Sequence, residues 1–266
     1  LVHALSIMMI KNSSEILDNG FAILPFPNDL KIAVKDYILK KISHSTSVSL
    51  NESSSLDEIT NAIKNLSDDN FIKKFSKPKR NLNGEPGNSL REFVSMLPLS
   101  FGGTKADINF LSPAEIKSDA SFCNQTLDLP WRCVRPLKGD VGAAHAYIQF
   151  WNINANTDLD PLCPMDYDER WKVWVPLFGC NKSNSIQLIK GSHLEEVPFI
   201  EIVNNGSIKP DIDKNWLIEN EGRFECPFDS FNDNCVIFSD KLIHRGPKNN
   251  SDQIRISNEF TILLKS

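Results

Sequence analysis

The sequence predicts a mainly β chain with helices near its N-terminus and a sandwich or jelly roll in its second half. Three observations carry this. Apolar residues recur at helical spacing over 29–42 and again over 56–66. From about residue 130 the pattern changes to short β-prone runs separated by turn residues. Strands do not alternate with long helices there, so a parallel α/β sheet is disfavoured.

Taken in order, NGFAILPF (19–26) reads as a short strand after a turn. DLKIAVKDYILKKI (29–42) sets Leu30, Ile32, Val34, Tyr37, Ile38 and Ile42 at helical spacing. STSVSLNESSS (45–55) reads as a polar linker or mobile loop. LDEITNAIKNL (56–66) is a second helix, and SLREFVSML (89–97) a third after the turn-rich NLNGEPGN. The expected strands are WRCVRPL (131–137), AAHAYIQFW (143–151), WKVWVPLF (171–178), SIQLIKG (185–191), CVIFS (235–239), KLIHRG (241–246) and QIRISNEFTILL (253–264). Between two of them, 152–170 is a long acidic loop of the kind that is functional or mobile. The expected organisation is one domain over 10–266, helical over about 28–100 and jelly roll over about 100–266, with residues 1–9 a translated leader or expression remnant.

With 41% hydrophobic and 24% charged residues the chain is ordinary for a globular protein, and its net charge of −5 gives no electrostatic case for nucleic acid or an anionic membrane. No apolar run approaches the ~20 residues needed to span a bilayer. The opening LVHALSIMMI lacks the basic start and small-residue cleavage site of a signal peptide. Six cysteines occur without a CxxC pair, which disfavours a zinc ribbon and reads as reduced thiols in a cytoplasmic protein. Oligomeric state is not legible.

Alternation along AAHAYIQFW puts His145, Tyr147, Gln149 and Trp151 on one face and Ala146, Ile148 and Phe150 on the other. The first set suits a cavity, the second a core. His244 lies after a strand in FSDKLIHRGP, and Arg255 stands eleven residues beyond it (255 − 244). In the closing strand Arg255 and Ser257 share a face, opposite Ile254, Ile256, Phe260 and Ile262. An inward arginine is costly without an anion, and its fork suits a carboxylate. Pairing of Arg255 with Glu259 or a loop acid is the bland alternative. Arg135, Lys138 and Trp174 could face a substrate, or serve as surface and core. His193, after a Gly-Ser turn, reads as a cap on local backbone.

Together these motifs resemble the phytanoyl-CoA dioxygenase family of Fe(II)/2-oxoglutarate oxygenases, whose fold is a double-stranded β-helix or jelly roll. That family carries His-x-Asp on one strand, a distal His, and an Arg about eleven residues past it, often followed by x-Ser. NSIQLIKGSH (184–193) resembles its Asn-Gly-x-Leu-x-x-x-Pro-Gly-Ser-His segment; NGFAILPF and ERWKVWVPL resemble further strands. The likeness is good over 130–264 and weak over 40–125. It implies that His145 and His244 bind Fe(II), that Arg255 and Ser257 grip the far carboxylate of 2-oxoglutarate, and that O2 and a small organic substrate complete the reaction, with Gln149, Trp151, Arg135 and Trp174 near the substrate.

The family's carboxylate position is Tyr147 here. A phenol has a reference pKa near 10, so holding it as phenolate at pH 7 costs about 4 kcal/mol before any metal bond compensates. Four readings stay open: a two-histidine site completed by water or an anion; an acid from 152–170 (Asp158, Asp160, Asp166, Asp168 or Glu169) as substitute ligand; a metal-poor binding domain or pseudoenzyme; and a single change in an otherwise active member. Halogenation is disfavoured, because Tyr147 leaves no room for halide. A sugar-binding or isomerase cupin would share the jelly roll but have no use for Arg255.

Overall fold

The computed structural model describes residues 13–64, 109–110, 144, 146, 169–204 and 207–265. The expected helix 89–97, the strand 131–137 and nearly all of 143–151 lie outside these residues.

The N-terminal part is helical, as its spacing predicts. Helix α1 (Ser13–Asn19) leads through Gly20 into strand β1 (Phe21–Pro25), then α2 (Asn28–Thr46) and α3 (Leu56–Ile63) follow. Ser45 and Thr46, expected in a linker, belong to α2, and Ser47 ends it in the left-handed conformation. Helix α3 begins at a capping box. The Ser55 hydroxyl accepts from the Glu58 backbone N–H, and the Glu58 carboxylate accepts from that of Ser55.

Gly20 is required where it stands. Its φ is +81°, and a Cβ there would lie 2.5 Å from the His193 Nδ1. The tight turn lets β1 start beside β8 (Asn234–Ser239), with Phe21 opposite Phe238. Strand β3 (Glu169–Phe178) pairs with β8 and with β10 (Ile256–Lys265), and β10 pairs with the short β2 (Asn109–Phe110). All are antiparallel, giving a five-stranded sheet ordered β1-β8-β3-β10-β2. Gly179, at φ +62°, closes β3 where a Cβ would run into the Ile254 carbonyl.

A smaller sheet is built from β4 (Gln187–Ile189), β7 (Phe224–Glu225) and β9 (His244–Arg245), ordered β7-β4-β9. A hairpin of β5 (Phe199–Asn204) and β6 (Ser207–Ile212), then helix α4 (Lys214–Glu219), fill the stretch between β4 and β7. These were not predicted.

The strands sort their side chains by period two. On β3, Trp171, Val173, Val175 and Leu177 join Cys235 and Ile237 of β8, together with Leu30, Val34 and Ile38 of α2, in one buried cluster. Trp174 of β3 faces the other way and packs with Val236 and Phe238 of β8, with Leu188 of β4 and with Phe228. The two sheets therefore share an apolar interior, while the helices cover the far side of the larger one. The far side of the smaller sheet is covered by Ile212, Trp216 and Leu217. The architecture is mostly antiparallel sheet with few helices. Among the described residues, no helix is long and apolar enough to cross a membrane.

Candidate functional site

Arg255 lies one residue before β10 and Ser257 is its second residue. The strand register sets their direction. Ser257 stands opposite Pro176 and Glu259 opposite Trp174, and facing residues share a side of the sheet. Arg255, Ser257 and Glu259 therefore point with Trp174 toward the interior, while Ile254 and Ile256 join the helix-side cluster.

Arg255 is 4% exposed. Its Nη1 donates to the Asn184 carbonyl oxygen. No carboxylate pairs with it among the described residues. Burial pushes its pKa down and the nearby Cys180 thiol opposes this, but a guanidinium starts so high that it stays charged at any working pH. The Ser257 hydroxyl is fully buried and meets no hydrogen-bond partner among the described residues. A buried cation without an anion beside a buried hydroxyl without a partner costs several kcal/mol as it stands. A carboxylate would satisfy both.

The bland alternative for Arg255 fails in its specific form. Glu259 pairs with Lys172, at 3.3 Å, and not with Arg255. Sequence reasoning missed this interior ion pair. Its signal was present: the alternation that turns Trp174 inward turns Lys172 inward too. Cys180, beside Arg255, has its thiol pKa pushed up to about 11 by burial, so it is no nucleophile.

His244 opens β9 opposite Leu188 of β4, and both face the interior. Its ring is 4% exposed and meets Phe238 edge-on with centroids 4.8 Å apart. Nδ1 lies 2.8 Å from the Leu242 carbonyl oxygen. A carbonyl can only accept, so a proton sits on Nδ1, and in the neutral ring the lone pair is then on Nε2, the arrangement of a histidine that can ligate a metal. The donor chemistry of His244 and the unmatched pair Arg255 and Ser257 thus fit a metal and a carboxylate respectively. Among the described residues no three His, Cys, Asp or Glu gather closely enough to hold a metal ion.

His145, Tyr147, Gln149, Trp151, Arg135 and Lys138, with Asp158, Asp160, Asp166 and Asp168, lie outside the described residues. Ala146, next to His145 in sequence, packs in one cluster with Ile243, next to His244. Two expectations need correction. Glu169 is not a loop acid: it begins β3, opposite Leu264, because the strand starts two residues earlier than its apolar pattern shows. His193 does not cap local backbone. Its Nε2 donates to the Leu17 carbonyl 2.9 Å away at the end of α1, tying the Gly-Ser turn to the N-terminal helix. Trp174, expected at a pocket or in the core, is 2% exposed and packs on Phe228 with centroids 5.6 Å apart.

No protein-family model matches this sequence, and no curated protein matches it. Among solved structures, EvdMO1 is similar at TM-score 0.50 and 14% identity over 98% of this chain and 50% of its own, so this chain spans half the length of EvdMO1. AviO1 from Streptomyces viridochromogenes gives TM-score 0.48 at 10% identity over 97% of this chain and 94% of its own. EvdO2 from Micromonospora carbonacea var. aurantiaca, complexed with 2-oxoglutarate, gives 0.45 at 14% identity over 96% and 90%. The likeness to EvdMO1 is one of fold.

Proposed function

We propose that this chain is a non-haem iron, 2-oxoglutarate-dependent oxygenase that hydroxylates a small organic substrate, on a double-stranded β-helix of the phytanoyl-CoA dioxygenase type. One observation carries the reading: among the described residues, the buried Arg255 guanidinium and Ser257 hydroxyl, on one inward face, meet no anion that would satisfy them. A dicarboxylate cosubstrate supplies that anion. Arg255 would hold its far carboxylate through a two-pronged, charge-assisted contact, and Ser257 would add a third donor.

His244 and His145 would hold the iron, with Tyr147 standing at the third-ligand position. The packing of Ala146 with Ile243 supports the first part, since each is the sequence neighbour of one candidate ligand. Bound iron would supply the activation of O2 that this chain's own side chains cannot perform. The chain's part is to bind and orient. The Nδ1–H bond to Leu242 presents the His244 lone pair inward, and Phe238, Leu188 and Trp174 keep bulk water from that side of the ring. Gln149, Trp151, Arg135 and Trp174 are proposed to lie near the substrate.

Tyr147 favours a second reading, a metal-poor domain that binds a small carboxylate without turnover. One experiment separates the two. The protein is incubated with Fe(II), 2-oxoglutarate and O2, succinate is measured, and 2-oxoglutarate binding is followed separately by calorimetry under anaerobic conditions. Succinate formed by the unaltered protein and lost in Arg255→Ala is the expected result. Binding without succinate moves the assignment to the second reading. Absence of both overturns it.

A further inference from the structure

Strand β9 is only two residues long, His244 and Arg245, and it touches β4 through Leu188 and Gln187. A strand so short is weakly fixed by its ladder bonds alone. A ligating side chain must nevertheless be held to about 0.5 Å of its productive position. Something besides the ladder has to hold β9.

The next side chain does so. Successive residues on a strand point to opposite faces, so Arg245 faces outward where His244 faces in. It uses its whole fork. Nε donates to the Gln187 Oε1 of β4 at 2.9 Å. Nη1 and Nη2 donate to the two carboxylate oxygens of Glu221 at 2.7 and 2.6 Å. The guanidinium also lies 3.8 Å from the ring centroid of Phe224, the first residue of β7. Arg245 thereby touches side chains of both other strands of the small sheet and the turn Glu221–Arg223 that leads into β7. That turn is held from its other end by the pair Arg223–Glu195. A solitary surface ion pair is worth little. This one is bidentate, stacked on an aromatic ring and 20% exposed on the arginine side.

We propose that Arg245 is a positioning residue for His244: by clamping β9 to β4, β7 and Glu221 it fixes the backbone from which the His244 ring is presented. The inference rests on the reading of His244 as a metal ligand, and it goes beyond that reading by placing the control of ligand geometry on the outer face of the sheet. Arg245 itself points away from the interior that His244 faces.

The test uses the full chain and Co(II), whose d–d absorption reports coordination without any turnover. Anaerobic titrations compare the unaltered protein with Arg245→Met, Arg245→Lys and Glu221→Gln, and with Glu195→Gln as a control that disturbs the same turn away from β9. Arg245→Met is expected to weaken Co(II) binding about 10- to 100-fold, the range seen when supports of a ligating histidine are removed. It should also change the d–d spectrum. Arg245→Lys, which keeps charge but loses the fork, should recover only part of this. Glu195→Gln, which loosens the turn without touching Arg245, should move affinity and spectrum less than Glu221→Gln does. A folded Arg245→Met protein with unaltered Co(II) affinity and spectrum overturns the inference. If Arg245→Met does not fold, Glu221→Gln decides in its place: several-fold weaker binding supports the inference and unchanged binding overturns it. If the unaltered protein takes up no Co(II), the assignment of His244 as ligand fails, and that outcome is distinct from unaltered affinity in the variants.

Discussion

Arg255 and Asn258 stand three residues apart and, among the described residues, are both buried without the partners their chemistry asks for, yet they call for opposite explanations. Arg255 faces the interior beside Ser257, on the side of the sheet that carries Trp174. Replacing it by methionine removes an uncompensated buried charge while roughly keeping its volume, so the ligand-free protein should gain stability. Arg255→Met is expected to raise the thermal midpoint and to abolish 2-oxoglutarate binding, as read by calorimetric scans with and without the cosubstrate. A lowered midpoint would mean that the Asn184 carbonyl contact is structural. Asn258 sits opposite Val175 on the helix-facing side, fully buried, with neither its amide nitrogen nor its oxygen partnered among the described residues. Asn258→Leu exchanges an unsatisfied amide for an apolar side chain in an apolar layer. Urea unfolding should show a gain of about 1–3 kcal/mol. A loss would show that a buried water serves the amide.

At the scale of elements, the interior pair Lys172–Glu259 bridges β3 and β10 diagonally, since Lys172 is opposite Thr261 and Glu259 opposite Trp174. Both side chains are largely buried, with exposures of 9% and 13%. Removing one partner takes from the other its buried counter-charge at 3.3 Å, whereas removing both removes the pair together. Lys172→Met and Glu259→Leu should each destabilise the fold, by up to about 3–5 kcal/mol, and the double variant by less than their sum. A double-mutant cycle by chemical denaturation reads this directly, and simple additivity would show that the two charges do not depend on each other. The elements themselves were unequally legible. Helix α2 and strands β1, β3, β8 and β10 follow from apolar periodicity, because each is long enough to show its period and buries a defined face. Strands β4, β7 and β9 are two or three residues long and show no period. Of these, β4 and β9 fell within predicted runs, whereas β7 went unseen. The hairpin β5–β6 was missed because its prolines and charges, as in SIKPDI, mask the alternation. The inward side of β10 was readable for the same reason as its core side. The alternation that buries Ile254 and Ile256 commits Arg255 and Ser257 to the other face.

For the whole molecule, the resemblance that placed His244, Arg255 and Ser257 drew on the order of motifs along the chain, and the fold gathers the described ones around one interior. What spacing could not supply is how distant segments are tied. His193 to the Leu17 carbonyl, Arg223 to Glu195 and Arg245 to Glu221 are contacts between segments whose sequence surroundings carry no shared signal. Two of these ties titrate. Arg223 holds the Glu195 carboxyl below the usual carboxylate range, and Arg245 does the same to Glu221. A carboxyl whose folded pKa is depressed stabilises the fold fully above its unfolded value, about 4.3 for glutamate, and ceases to do so as pH falls through the lower folded value. Both carboxylates are more than a third exposed, so solvent screening limits each pair to about 0.2–1 kcal/mol. In a protein of this size that amounts to a few degrees in midpoint at most. Thermal scans between pH 6 and pH 3 should therefore show the unaltered protein losing a few degrees more than Glu195→Gln/Glu221→Gln, whose neutral amides have nothing to titrate, with the two curves converging at the acid end. Parallel curves would mean that the arginines hold the turn by stacking and hydrogen bonding alone, and that charge contributes nothing to fixing the strand that carries His244.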